Sequence, residues 1–468
     1  MPIAAHTGDT LIITLVLAGI GVAAFRATRG RKGAGTAEYF FASKTVEWPA
    51  LAISLAVTTV WGIWAMFAAM PVSLGLPGWI IPGAVAVLGL LLLGVVFSPL
   101  YRMSHATTLP AFLGERYGRG VGLVTAGVSV AVTLLVLIPF TILIGSRLLN
   151  ALLEWELMSS ALLMIAVPGL IVIAGGYHAV IATHSASGIA AGIGALFLAV
   201  NGFFPGETIM HRVVPDGDTS LTQLLAGLTI VGLWFACIDQ YAVQRTVAAR
   251  SSLAMRRGTA GAAFLVVLGV CALATGFGSS PGTIGMAGNS VAEGFVGAAI
   301  ISLVIATLAG LFMSAATVFA LDVFPAGRTT TDEAALVLVG RLANTVVVIL
   351  AIMAASSITM TGAGSVFWMA RALIIALPPV VAILILGLTW ARMHGRGALW
   401  ALILGWATGV GYTVVSVGGV GAEMYGVLLT FVVSTIVCVV VSLIAAPPRS
   451  LEQEGEAILT PGLQVRKP

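Results

Sequence analysis

ATLAGLFMSAATVFALD, residues 306–322, is apolar and small for four turns of a helix, yet it carries the hydroxyls of Thr307, Ser314 and Thr317, includes Gly310 and stops at the acid Asp322. It is fit to lie in lipid, but lipid alone does not select three hydroxyls and a terminal carboxylate. The segment therefore asks for a role beyond spanning. The rest of the chain supplies the setting. Of 468 residues, 59% are hydrophobic and 9% charged, whereas soluble domains carry roughly a quarter charged residues. Mean hydropathy is +1.08. These values exclude an ordinary soluble protein and point to an all-α, multi-pass protein of the cell membrane.

Apolar runs of about 20 residues, the length that crosses a hydrocarbon core, recur along the whole chain. Thirteen spans are expected, at about 9–27, 48–70, 77–100, 121–152, 158–176, 179–203, 221–242, 259–279, 292–321, 334–355, 363–390, 397–418 and 423–445. Residues 1–446 read as one transmembrane domain and 447–468 as a polar tail. The first run has no basic segment before it and no cleavage pattern after it, so it reads as a retained helix. Lys and Arg stay on the cytoplasmic side. With the N-terminus outside and the C-terminus inside, the basic residues from Arg26 to Lys467, Arg102, Arg116, Arg245 and Arg328 among them, fall in cytoplasmic connections. Arg147, Arg212 and Arg371 are left over. The basic balance, net +4, thus reports topology and contact with anionic lipid, and no nucleic-acid partner is expected.

Several function classes drop out. Cys237, Cys271 and Cys438 lie within apolar runs and read as core residues. The six histidines form no i,i+4 pair and no cluster with cysteine, so neither a metal nor a cofactor is expected. No nucleophile and base pair, zinc-helix motif or paired intramembrane aspartate points to an enzyme. No filter sequence points to a channel.

Charges within spans are costly, about 2.5–3.5 kcal/mol each on the insertion scale, and ask for a function. Asp239, in LWFACIDQYAVQR, either pairs with Arg245 near the membrane face or lines a central water-filled cavity. Arg371, in GSVFWMARALIIALPP, either snorkels or pairs with a helix C-terminus, or else presents its guanidinium to a carboxylate-bearing solute or to Asp239. His184, in AVIATHSASG, reads as a satisfied core histidine or as a proton carrier. In span two, LAISLAVTTVWGIWAMFAAMP, Thr58, Thr59 and Gly62 lie around Trp61 and Trp64. Such a stretch suits a helix broken at mid-membrane, since glycine lowers helix propensity and threonine hydroxyls replace lost backbone bonds. A small-residue packing face reads the same way.

Five stretches in order resemble the motifs of the sodium:solute symporter family: AEYFFASKTVEWPALAISLA (37–56), TLPAFLGERYG (108–118), GGYHAVIATHSASG (175–188), DQYAVQRTVAARSSLAMRRG (239–258) and the opening segment itself. The resemblance, over about residues 37 to 400, implies a LeuT-like core of two inverted five-helix repeats, about 48–203 and 221–390. It also implies alternating access and symport of a small organic solute. It implies sodium as the coupling ion, held by carbonyls of span two near Ala56 and Thr59 and by Leu303, Ala306 and Thr307 of span nine. Thr58, Trp61, Gly62, Asp239, Gly310 and Arg371 are the expected solute residues, and Asp322 a helix-end or loop anchor and not a ligand. Three departures stand out: Ala306 replaces a hydroxyl, His184 an acid, and Gly310 with Met313 a serine and an asparagine. The last breaks a polar sugar-binding pattern, and a carboxylate or zwitterion fits Arg371 better than a sugar fits the largely apolar lining. Coupling to protons through His184 or Asp239 stays open, as does a sensor or partner-binding protein that has kept the scaffold.

Overall fold

A computed structural model describes residues 7–29, 35–68, 80–104, 106–201, 221–277, 290–326, 332–361, 364–416 and 420–444. The expected tail at 447–468 lies outside them, as do Arg212, Arg328 and Lys467. Every named element is helical. The helices are α1 (Thr7–Thr28), α2 (Thr36–Phe41), α3 (Trp48–Ala68), α4 (Ile80–Met103) and α5 (Leu109–Tyr117). Next come α6, which runs from Arg119–Val132 through a π segment into Ile138–Leu153, and α7 (Leu157–Asn201). The second half holds α8 (Leu221–Leu233), α9 (Gln240–Ala248), α10 (Ser252–Phe277), α11 (Ser290–Val318), α12 (Glu333–Thr361), α13 (Gly364–Thr389), α14 (Gly395–Val415) and α15 (Val420–Ile444).

Ten helices among the described residues are long and apolar enough to cross a membrane, which makes this an integral, multi-pass membrane protein. The three other expected spans have local explanations. Spans five and six are merged in α7, where the chain turns at Gly176 (φ 58°, ψ −155°). That left-handed backbone and the Tyr39 ring and carbonyl, 2.8 Å from where a Cβ would sit, leave room for glycine alone. Span two is the shorter apolar stretch Trp48–Ile63 of α3. Span seven is divided into α8 and α9.

The opening segment lies in the middle of the bundle. α11 packs along α7 and against α1, α6 and α12, and 94% of its most apolar window is buried. α10 lies along α3, while α13, α14 and α15 pack on one another and α15 also covers α8. Small residues make the close approaches possible: a Cβ on Gly310 would enter the Tyr241 ring. Asp322, in the π turn after α11, accepts a hydrogen bond from the Thr108 hydroxyl at 2.8 Å, and that same hydroxyl oxygen caps α5 by accepting from Ala111 N–H. It is a loop anchor, as expected.

Between α2 and α3, Ala42, Ser43 and Lys44 all have positive φ (47°, 53° and 56°), a conformation that costs about 1–2 kcal/mol per L-residue. Neighbouring bonds hold this turn in place. Gln244 Nε2 donates to Phe40 O at 2.8 Å, and Val46 pairs with the segment after α9 through Val46 N to Ala248 O and Arg250 N to Val46 O.

Candidate functional site

A cavity of about 200 Å³ lies among α3, α4, α6, α8, α9, α11, α13 and α15. Most of its wall is apolar, from Leu55, Leu90, Phe140, Leu228, Val231 and Val427. Its polar side chains are Thr58, Thr59, Trp61, Thr141, Asp239, Tyr241, Arg245 and Thr307. Six of the residues that the sequence singles out meet here: Thr58, Thr59, Trp61, Gly62, Asp239 and Thr307. A Cβ built on Gly62 meets nothing within 4 Å, so this glycine faces open space. Trp61 is 1% exposed and its Nε1 has no hydrogen-bond partner. Trp64's side chain lies outside the described residues.

The helix break is in α8–α9, and α3 is continuous. α8 ends in a π segment, Trp234–Ile238, and the backbone leaves helical geometry at Asp239 (φ −54°, ψ 138°). Asp239 N–H still bonds to Trp234 O at 2.9 Å, while its own carbonyl accepts from Ala242 and Val243 and starts α9. An acid at a helix N-terminus suits both the exposed N–H groups and the dipole there. By contrast α3 runs unbroken through Thr59 and Gly62, which corrects the expected break in span two. Gly62 weakens a helix by about 1 kcal/mol, too little to open one packed along α10 and α7. Thr58 Oγ1 donates back to Ser54 O and Leu55 O, at 3.2 and 3.1 Å, inside the helix. In an unbroken helix the carbonyls of Ala56 and Thr59 belong to the helical ladder.

Other expected ligands are also engaged. Leu303 O accepts from the Thr307 hydroxyl at 2.9 Å. Ala306 O accepts from His184 Nε2 at 2.9 Å. His184 is fully buried, and its Nδ1 lies 2.7 Å from Ser54 Oγ. A carbonyl can only accept, so Nε2 carries a proton, and Ser54 Oγ, which accepts from Arg245 Nε at 2.8 Å, has its own proton for Nδ1. Both ring nitrogens are therefore bonded, which fits the core-histidine reading and gives proton coupling through His184 no support.

Two expected solute residues stand apart from the cavity wall. Gly310 is the seat of the Tyr241 ring. Arg371 is bound to Glu423, Nε to Oε1 at 3.0 Å, and donates from Nη2 to Ser416 O at 2.7 Å. Glu423 is fully buried, so this guanidinium is an interhelical tie between α13 and α15 and is not paired with Asp239.

Arg245 is the residue that sequence reasoning placed wrongly. Counted above among cytoplasmic basic residues, it is 1% exposed and lines the cavity, its guanidinium 3.6 Å from the Tyr241 ring centroid. The signal was available: tyrosine and arginine four apart on one helix meet face to face. The other motif polar residues of α9 hold the surrounding chain, since Gln240 Oε1 accepts from Leu109 N–H and Gln244 Nε2 donates to Thr317 Oγ1.

Comparison with known proteins agrees with this architecture. The model of the Sodium:solute symporter family matches residues 281–405. Sodium/glucose cotransporter 4 of Mus musculus is 26% identical over 481 residues, covering 86% of this chain and 68% of the relative. Sodium/myo-inositol cotransporter 2 of Oryctolagus cuniculus is 26% identical, covering 67% and 56%. A Na+-coupled sialic acid symporter, solved in a substrate-bound outward-open state, superposes with a TM-score of 0.75 at 15% identity, covering 94% of this chain and 98% of that one. The fold is thus the LeuT-like one. Motifs, the family match over residues 281–405 and the fold agree in likening the chain to the sodium:solute symporter family.

Proposed function

We propose that the protein is a secondary active transporter that moves a small organic solute across the membrane together with Na+, by alternating access around the cavity at Asp239. The carrying observation is the cavity itself, enclosed by a bundle of this fold and bordered by the polar helix break between α8 and α9. In transporters with broken helices the substrate site lies at such a break, where helix ends and side chains meet the solute. The relatives above carry sodium with glucose or myo-inositol by their names, and the sodium half of that activity is the part we transfer.

The wall favours a carboxylate or zwitterion with an apolar body over a polyhydroxylated sugar. A sugar needs many hydrogen-bonding groups around it, and most of this wall is aliphatic or aromatic. Asp239 offers an acceptor for an amine, Trp61 Nε1 an unpaired donor, and Arg245 a positive charge. Sodium is assigned to the crossing of α3 and α11, beside Thr59 and Thr307, whose hydroxyls line the same cavity. A small hard cation takes oxygen ligands, and hydroxyls supply them without a carboxylate.

Reconstitution into proteoliposomes tests the proposal. Labelled amino acids and monocarboxylates should accumulate under an inward sodium gradient and stop doing so when choline replaces sodium. Thr307→Ala should weaken the sodium dependence. Equal uptake in sodium and choline would overturn the coupling.

A further inference from the structure

Oxygens of α3 just before Thr59, those of Ser54 and Thr58, are already in the hands of this chain's own cationic and N–H groups. Arg245 Nε donates to Ser54 Oγ at 2.8 Å, and Nη2 lies 3.3 Å from both Ser54 O and Thr58 Oγ1. Nη1 donates to Tyr241 O at 2.8 Å. All of these partners are neutral, and the whole side chain is buried. On the other side of Ser54, His184 links to Ala306 O. Arg245, Ser54 and His184 thereby join α9 to α3, α7 and α11 at the same crossing where Thr307 lines the cavity.

Two facts make this guanidinium and a sodium ion mutually exclusive there. An ion at this crossing would draw on the Ser54 and Thr58 oxygens that the guanidinium holds, since α3 stays helical and frees no extra carbonyls for it. The two cations also carry the same charge in a place shielded from water, where like charges a few ångströms apart repel strongly. The guanidinium would leave with α9, which joins α8 through the non-helical Asp239, and the bonds of Gln240 and Gln244 to Leu109, Phe40 and Thr317 would open with it.

We propose that Arg245 is a tethered cation that holds the α3–α11 crossing when sodium is absent, and that sodium binds by exchange with it. The ion takes the oxygens of Ser54 and Thr58 together with the Thr307 hydroxyl, and the guanidinium withdraws with α9. Exchange of one positive charge for another releases α9 from α3, which gives the ion a direct hold on the helix that borders the solute cavity. Arg245 is here a positioning residue, and the inference rests on the sodium-coupled reading above.

Sodium titration of thermal unfolding at constant ionic strength, with choline as the replacement cation, tests it in the purified full chain. A ligand that binds the native state raises its stability by mass action, so half-saturation can be read from the titration. In Arg245→Gln the competitor is gone, and half-saturation should fall about tenfold or more relative to wild type. Arg256→Gln removes an exposed charge instead and should leave it unchanged. Arg245→Lys keeps a charge but loses the fork that grips Ser54 and Thr58, and its half-saturation should lie between the two. This variant decides the matter if Arg245→Gln does not fold. Unchanged or weaker sodium binding in the Arg245 variants, with wild type responding, overturns the exchange alone. No response to sodium in wild type or variants overturns the exchange and the sodium-coupled reading together.

Discussion

α3 and the α8–α9 pair border the same cavity and carry similar local signals, yet one is continuous and the other is broken. α3 holds Thr58, Thr59 and Gly62 in succession and stays helical; α8–α9 holds no glycine at its break and opens at Asp239. The difference lies in where backbone groups find partners. At Asp239 an acid starts a new helix, and the preceding π segment has already shifted the ladder by one residue. In α3 the threonine hydroxyl returns to carbonyls of its own turn, and Arg245 ties Ser54 from outside. Glycine content alone is a poor guide to where a membrane helix breaks. A charged residue able to begin a helix is a better one.

Substitutions on the two sides should separate them. The largest effect is expected at the break: Asp239→Asn removes the acid but keeps its shape, and loss of a charged contact of about 1.5–3 kcal/mol should weaken solute binding roughly 10- to 150-fold. Concentration dependence of uptake checks this, and an unchanged half-saturation would remove Asp239 from the site. Gly310→Ala drives a methyl into the Tyr241 ring, and overpacking of this kind costs about 1–3 kcal/mol. Thermal unfolding in detergent should show the loss. Thr58→Val on the intact helix removes one hydroxyl that accepts from Arg245, at about 1 kcal/mol by the same assay. Gly62→Ala should have the smallest effect, a gain of about 0.4–1 kcal/mol, because the added methyl meets open space and alanine favours the helix. A large loss at Gly62 would mean that the α3 backbone needs a conformation only glycine allows.

Much of the fold was legible because lipid imposes a length and a composition on every span. The expected boundaries of α1, α13, α14 and α15 fall within three residues of the helices for that reason. α3 and Asp239 show where such reading stops. The threonines and glycine of span two satisfied the pattern of a broken helix, but whether a helix opens depends on partners contributed by distant segments. Part of the site was legible too. Trp61, Thr58, Thr59, Gly62, Asp239 and Thr307 were picked from five spans' worth of charge, hydroxyl and glycine signals, and they line one cavity. Of the readings of Arg371, pairing with a helix C-terminus is the one found, at Ser416 O after α14, while the carboxylate it also binds, Glu423, lies 52 residues further on. Arg245 was misread because a basic residue beyond the end of an apolar run looks like any cytoplasmic arginine. Only the Tyr241 ring four residues earlier hinted that it turns inward.

Hydrogen exchange of the reconstituted protein with and without sodium tests most directly whether α9, hinged at Asp239, is the moving element while α3 stays whole. Sodium should change exchange across residues 234–245 and leave residues 55–62 protected in both conditions. Fast exchange at 55–62 in either condition, with 234–245 indifferent to sodium, would contradict the account.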